Sequence, residues 1–385
     1  MKYISILLVL VLFSYITEAQ EKPSALRISL ITCTPGAELY SVFGHNALRI
    51  VDSAAGTDIA YNFGTFNFDD PDFYTKFVRG KLQYYLSQEN FSDFLYAYNY
   101  FKRGVSEQVL NLTDQEKKVI QQALFENLAE ENRYYKYDFF YDNCSTRLRD
   151  IIFKTKTANA FDPPSFTAKG LTFRDHLHTY LGRAKMEWTQ LGIDLILGTE
   201  ADQEMSTSNT MFLPDFLKQG TGVTLVNGQK LVNEEIVLIP DQQPVPQALA
   251  IWQTPRLVLA LIAIFCVIPV TQQLTFFNSI QSILEKIIFM STGLLGCFLV
   301  FLWVGTDHQS MSNNLNLIWA FPLNLLLAFK PKRIPIWLNY YSKIYAVAVL
   351  VLALFIIVKP GLIPSVLFML MLALSYRSWI WAKIK

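Results

Sequence analysis

The sequence predicts two parts of unlike class: an exported α+β domain, followed by an all-α transmembrane domain of five helices. Three observations carry that reading. Behind Met1-Lys2, an apolar run from Ile4 to Phe13 ends at Thr17-Glu18-Ala19, the pattern of a signal peptide over residues 1–19. Residues 20–245 mix alternating runs with capped amphipathic stretches, and from Arg256 the composition turns apolar. At 52% hydrophobic and 17% charged over 385 residues, the chain is too apolar for an ordinary soluble enzyme. A net charge of +1 with no basic patch gives no reason to expect nucleic acid as a partner. A retained signal anchor would export the remainder equally well, and no cysteine stands near Ala19, so the mature chain is not expected to be a lipoprotein.

Taken in order, Ala25 to Thr32 alternates as a first strand, broken by Pro35-Gly36. His45 precedes a second alternating run, Ala47-Leu48-Arg49-Ile50-Val51, and the Ser53–Thr57 cluster turns the chain into Ile59–Phe63. Paired as a hairpin turning near Ala54, these strands place His45 and Asn62 on one face, opposite or diagonal. The stretch from Phe66 to Tyr100 is dense in aromatic residues. Such rings suit an acyl-binding groove or a surface on lipid headgroups, with plain core packing the commoner use. Thr113 with Glu116 forms a capping box for a helix that buries Val119, Ile120, Ala123, Leu124 and Leu128. Tyr134 to Phe140 then leads, as strand or loop, into Asp142-Asn143-Cys144-Ser145-Thr146-Arg147. Asp142 or Asn143 caps a helix there, with Leu148, Ile151 and Ile152 on its buried face. Cys144 in the first turn feels the positive end of the helix dipole, with arginines 147 and 149 nearby, and both favour the thiolate.

Beyond it, Phe161–Ser165 reads as a loop, Thr172–Leu181 and Trp188–Leu197 as helices with Gly198 ending the second. Val223–Val226 and Leu231–Ile239 read as a hairpin through Asn227-Gly228, and residues 241–246 as a linker. His176 and His178 are two residues apart on a helix and point to different sides, so packed or solvated histidines are expected and no metal is called for. Cys144, His45 and Asn62 together have the makings of a thiol triad: nucleophile, base and orienter.

The order of that triad, histidine before cysteine, resembles the circularly permuted NlpC/P60 group, which includes lecithin–retinol acyltransferase. Phe43-Gly44-His45, Tyr61-Asn62-Phe63-Gly64-Thr65-Phe66 and Asp142-Asn143-Cys144-Ser145-Thr146-Arg147 look more specifically like the Lnb family, bacterial membrane proteins that N-acylate lipoproteins. The resemblance implies a permuted papain/NlpC-P60-like fold for the exported domain. It also implies a reaction without a cofactor. An acyl chain moves from a phospholipid donor through a Cys144 thioester to the N-terminal amine of a diacylated lipoprotein acceptor.

The apolar segments lie near 256–274, 283–304, 315–329, 340–358 and 362–382. Four are long enough to cross about 30 Å of hydrocarbon. The third, which holds Asn316, Pro322 and Asn324, is short and is expected to span only with shelter from its neighbours. Lys330, Lys332 and Arg333 in one loop, and Arg377, Lys383 and Lys385 near the tail, belong on the cytoplasmic side. Five crossings of the inner membrane then put the large domain in the periplasm, together with the loop from Gly305 to Asn314. Its Asp307, His308, Asn313 and Asn314 are candidates to hold a lipid headgroup or an incoming amine; a merely solvated loop is the alternative.

Two questions stay open at this level. Cys33 and Cys144 are both exported, into a compartment where disulfides persist, and a bridge between them would remove the nucleophile. A capped helix and a histidine partner are superfluous to a bridge, which favours free thiols. A membrane-tethered cysteine peptidase or amidase acting on cell-wall peptide would use the same three residues; a non-catalytic scaffold would use none.

Overall fold

The computed structural model describes residues 25–155, 169–267, 275–329, 334–358, 361 and 363–383. The expected signal peptide, the Phe161–Ser165 loop and the loop carrying Lys330, Lys332 and Arg333 lie outside the described residues.

The exported part forms around a seven-stranded sheet. Its strands are β1 (Leu26–Cys33), β2 (His45–Asp52), β3 (Thr57–Thr65), β4 (Gln83–Asn90), β5 (Val105–Leu110), β6 (Tyr134–Lys136) and, after a short β7–β8 hairpin (Leu225–Val226 and Gln229–Lys230), β9 (Val232–Ile239). The order is β6-β4-β3-β2-β1-β5-β9, antiparallel throughout. The expected hairpin closes with Asp52 opposite Thr57, so its turn falls at residues 53–56, centred as the sequence indicates. The second hairpin differs from expectation: it turns at Asn227-Gly228, both at positive φ, but Leu225–Val226 pairs with Gln229–Lys230, while Val232–Ile239 pairs with β5 and Val223 ends a helix.

Central strand β1 is buried on both faces, because helices cover both. On one side Ile28 and Leu30 pack with Leu48, with Ile120 and Leu124 of the Asp114–Leu128 helix, and with Leu148 and Ile152 of the Cys144–Lys154 helix. On the other side Ile31 and Cys33 meet Phe91 and Phe94 of the Phe91–Tyr100 helix. The capping box of Thr113 and Glu116 is present, although Val119 faces solvent rather than the core. The aromatic stretch divides by position: Phe73, Phe91 and Phe94 are core, whereas Phe68, Tyr74, Phe77, Tyr96 and Tyr100 are exposed.

The C-terminal part is helical: Pro255–Val267, Thr275–Val304, Asn324–Phe329, Ile336–Val358 and Phe368–Trp381. Two helices, Ser279–Val304 and Ile336–Val358, are long and apolar enough to cross a membrane; Pro255–Val267 and Ser365–Trp381 are shorter. Residues 315–329, expected as a span, do not form one continuous helix. A 3-10 turn over Leu315–Ile318 and a six-residue helix from Asn324 flank Pro322, which cannot continue a helical hydrogen-bond ladder. The shelter is real. Asn324 is fully buried, donating to Thr292 Oγ1, the Trp319 carbonyl and Tyr345 Oη, and accepting from Tyr341 Oη. Non-helical backbone buried among apolar helices is tolerated only with such partners.

The two parts are joined by side chain to backbone bonds. Leu191, on the Glu187–Ile196 helix, enters the same apolar cluster as Trp319 and Val349. Asn314 Nδ2 donates to the Leu195 carbonyl at 2.8 Å and Asn316 Nδ2 to the Asp194 carbonyl at 3.1 Å. Gly198 donates its N–H to the Ser310 carbonyl, and a Cβ there would lie 1.6 Å from the Ser312 carbonyl, so only glycine fits this approach. Beneath the junction, the buried Asp194 carboxylate accepts from Arg174 and His178, each at 2.8 Å.

Candidate active site

Cys144 is the first residue of its helix, and Asn143 is the cap. The Asn143 side-chain Oδ1 accepts from the N–H groups of Ser145 and Thr146 at 2.8 and 3.0 Å, and the Thr146 hydroxyl in turn accepts from the Asn143 N–H. The N–H of Cys144, one position nearer the helix start, is not taken by the cap. The Asn143 amide also donates to the carbonyls of Phe139 and Phe212, which anchors the helix start to the Phe140–Phe173–Phe212 ring cluster. Asp142, the other candidate cap, instead forms a two-pronged ion pair with Arg147.

His45 opens β2 directly opposite Cys33 on β1, and Asn62 lies diagonally across on β3. Its Nε2 stands 3.2 Å from Asn62 Oδ1, and Asn62 Nδ2 donates to Glu89 Oε1 at 3.0 Å. Glu89 therefore fixes which end of the Asn62 amide faces the ring. An amide oxygen only accepts, so His45 carries its proton on Nε2 and leaves the Nδ1 lone pair for a thiol proton. Desolvation raises the Glu89 carboxyl above its usual range, with the Asn62 bond acting against it.

The partly buried Cys144 thiol responds to this setting. Burial pushes its pKa up, but the charge and hydrogen bond of His45, the backbone N–H of Asn46 and the Ser145 hydroxyl outweigh burial, and the net shift is downward. Cys33 has the opposite fate: fully buried, its pKa is pushed up to about 12 by desolvation. All four cysteines, Cys33, Cys144, Cys266 and Cys297, are free. One partly buried, thiolate-prone sulfur at a helix start and one fully buried thiol on β1 thus lie at the same end of the sheet.

Gly64 completes the floor. It occupies a register shift between β3 and β4 with φ of 89°, and a Cβ there would come 3.7 Å from Cys144 Cβ and from Tyr137. A side chain there is disfavoured by the backbone angle, whereas its Cβ would make only ordinary contact with Cys144 and Tyr137.

The expected outer-loop residues are placed otherwise. Asp307 pairs with Lys136 at 2.7 Å, and His308 Nε2 donates to the Phe77 carbonyl at 3.1 Å. Asn314 is consumed at the domain junction. Asn313, exposed and at φ of 54°, lines an apolar cavity of about 530 Å³ beside Trp303, Ile318 and Tyr341. His176 packs against Phe216 at 4.3 Å between ring centres, as a packed histidine should. Sequence reasoning did not find Glu89, the Asn46 N–H or Ser145. The last two are chain neighbours of the pair already singled out, whereas nothing local marks Glu89.

Fold and site thus define a membrane protein whose exported α/β domain presents a cysteine and a histidine at one sheet end. The chain matches the Lnb N-terminal periplasmic domain over residues 13–174 and the Lnb transmembrane domain over residues 247–385. It belongs to the Lnb family, with a periplasmic domain and a transmembrane domain. No curated protein and no solved structure matches it.

Proposed function

We propose that this protein is a thiol-dependent N-acyltransferase of the bacterial inner membrane, transferring an acyl chain from a phospholipid to the N-terminal amine of diacylated lipoproteins. The observation that carries the reading is the Cys144–His45–Asn62 arrangement: a thiol at a helix start with its pKa drawn down, beside a histidine whose tautomer an oriented amide sets. In the first half, His45 Nδ1 takes the thiol proton as Cys144 Sγ attacks the ester carbonyl. The C–O bond breaks, the proton passes from His45 to the departing lysophospholipid oxygen, and a thioester remains. In the second half the lipoprotein amine attacks the thioester. His45 accepts the amine proton and returns it to the Cys144 thiolate as the amide forms. The N–H groups of Cys144 and Asn46 are the candidates to hold the tetrahedral oxyanion, the second because it already points at the sulfur.

The permuted papain/NlpC-P60-like order, the signal peptide over residues 1–19, the domain limits at 20–245 and 246–385 and the five crossings belong to this proposal. Support for a lipid substrate comes from placement: the loop after the Thr275–Val304 helix bonds to Lys136, next to Tyr137, which touches the Gly64 floor. Holding donor, acceptor and enzyme in one plane raises the effective concentration of both substrates. Mass spectrometry of lipoprotein N-terminal peptides, made with and without the protein, tests the reading. A third acyl chain that depends on Cys144 is expected; release of cell-wall peptides with no change in lipoproteins would replace it by the peptidase reading.

A further inference from the structure

An unbroken strip of aromatic rings runs from the thiol to the membrane domain. Beside Cys144, Tyr137 stacks on Tyr84 with ring centres 4.4 Å apart. Tyr84 meets Phe66 at 5.3 Å, Phe66 meets Phe68 at 4.6 Å, and Phe68 meets Phe73 at 5.1 Å. Phe73 opens the short Phe73–Val78 helix and contacts Tyr74 at 5.3 Å and Phe77 at 6.2 Å. The inner rings are buried or half-buried, but the outer end is bare: Phe68, Tyr74 and Phe77 are 65%, 80% and 51% exposed. Three large exposed rings in one place are more than a water-facing surface requires.

The outer end of the strip is fixed to the membrane part. His308 donates to the Phe77 carbonyl, and the Asp307 N–H donates to the Arg79 carbonyl at 3.0 Å. Asp307 and His308 follow the Thr275–Val304 helix by only a few residues, so the bare rings stand beside the end of a helix long and apolar enough to cross a membrane. Tyrosine rings such as Tyr74 accumulate at a membrane–water interface, and the bare Phe68 and Phe77 rings beside it are suited to apolar chains. Around Asp307 lie Lys136, Lys81 and Arg79, all exposed, which together draw its carboxyl down. Three cations around one carboxylate leave an excess of positive charge at headgroup level, suited to a phosphate.

We propose that this strip is the seat of the acyl donor: a membrane phospholipid lies with an acyl chain along the rings, its phosphate near Arg79, Lys81 and Lys136, and its ester turned toward Cys144. The proposal rests on the acyltransferase reading for the direction of the ester, but binding to the strip does not depend on the chemistry. It gives the Asp307–His308 loop a role: a brace that holds the ring-bearing helix at the membrane surface.

The test uses the full chain in nanodiscs doped with a phosphatidylethanolamine that carries a diazirine on one acyl chain, with Cys144→Ala introduced to prevent turnover. Photo-crosslinks are expected on peptides spanning 66–84 and 134–137, falling about fivefold or more in Phe68→Ser/Tyr74→Ser/Phe77→Ser, while crosslinks to the apolar helices stay constant as an internal reference. These three side chains are exposed, and a melting curve confirms that the variant is folded. On the Cys144 background, Arg79→Gln/Lys81→Gln is expected to raise the KM for donor about fivefold with kcat little changed. Crosslinks confined to the apolar helices, or unchanged by the triple substitution, would overturn the proposal. Strip crosslinks in a protein that forms no thioester would leave the lipid seat standing and sink the catalytic reading; a thioester without strip crosslinks would do the reverse.

Discussion

Around Cys144 the polar groups converge on an atom that stays partly open; between Asp307 and Asn316 they are spent joining the two halves of the chain. Both clusters stand out in the sequence for the same reason, a density of side chains that packing does not need. The structure separates them by where their hydrogen-bonding capacity ends. His45, the Asn46 N–H and Ser145 end on the thiol and lower its pKa. Asn314, Asn316 and His308 end on the carbonyls of Leu195, Asp194 and Phe77. A polar cluster whose bonds close on backbone is a joint, and one whose bonds close on a partly open thiol is a candidate site.

The sharpest way to break this comparison is to remove the thiol or the base. Cys144→Ala and His45→Ala are each expected to lose acyl transfer by at least about a thousandfold, with an unchanged circular dichroism spectrum. Near-normal turnover by purified Cys144→Ala would end the nucleophile assignment.

On the other side of the comparison, Asn316→Ala leaves the Asp194 and Leu195 carbonyls and the Trp319 indole N–H, which donates to Asn316 Oδ1 at 2.9 Å, without that partner. A cost of about 2 kcal/mol in stability is expected, seen as a lower melting temperature in detergent. Activity per folded molecule should hold. If activity fell while stability did not, the joint would belong to the chemistry after all.

Asn62→Ala should cost less than loss of the base, about tenfold, because an orienter acts through the residue that it orients. Its signature is in the pH profile. Alkylation of Cys144 in the parent should persist below the ordinary thiol range of about 8.5, since its pKa is drawn down. With His45 no longer held, the inflection should move to higher pH. Cys33, held protonated to about 12, should label far more slowly throughout. Glu89→Ala should shift the inflection in the same direction by less, because Glu89 only fixes the Asn62 amide.

The smallest effect is expected for His308→Ala, about twofold in either phase of a single turnover, because one exposed bond to the Phe77 carbonyl is lost. A large loss confined to aminolysis would instead make His308 part of an acceptor site.

Much of this was legible in the chain. The His45–Asn62 diagonal follows from hairpin symmetry about Ala54, and the helix start at Cys144 from the capping pattern, because both are local. Glu89 was not legible: it reaches Asn62 across a pairing whose register shifts at Gly64, and no local pattern reports such a shift. The destinations of His308, Asn314 and Asn316 were hidden for a different reason. Their partners are carbonyl oxygens, which every residue has, so no sequence feature marks the receiving side. The break in residues 315–329 was half visible in Pro322 and Asn324; what the chain could not tell is that Asn324 finds four partners at depth and makes the break tolerable.

The measurement that bears most directly on the central claim is the intact mass of the protein after brief mixing with phospholipid and no acceptor amine. The account predicts a gain of one acyl chain, removed by neutral hydroxylamine, located on the Cys144 peptide and absent from Cys144→Ala. An unmodified mass under conditions in which lipoprotein is acylated, or an acyl group stable to hydroxylamine on another residue, would contradict it.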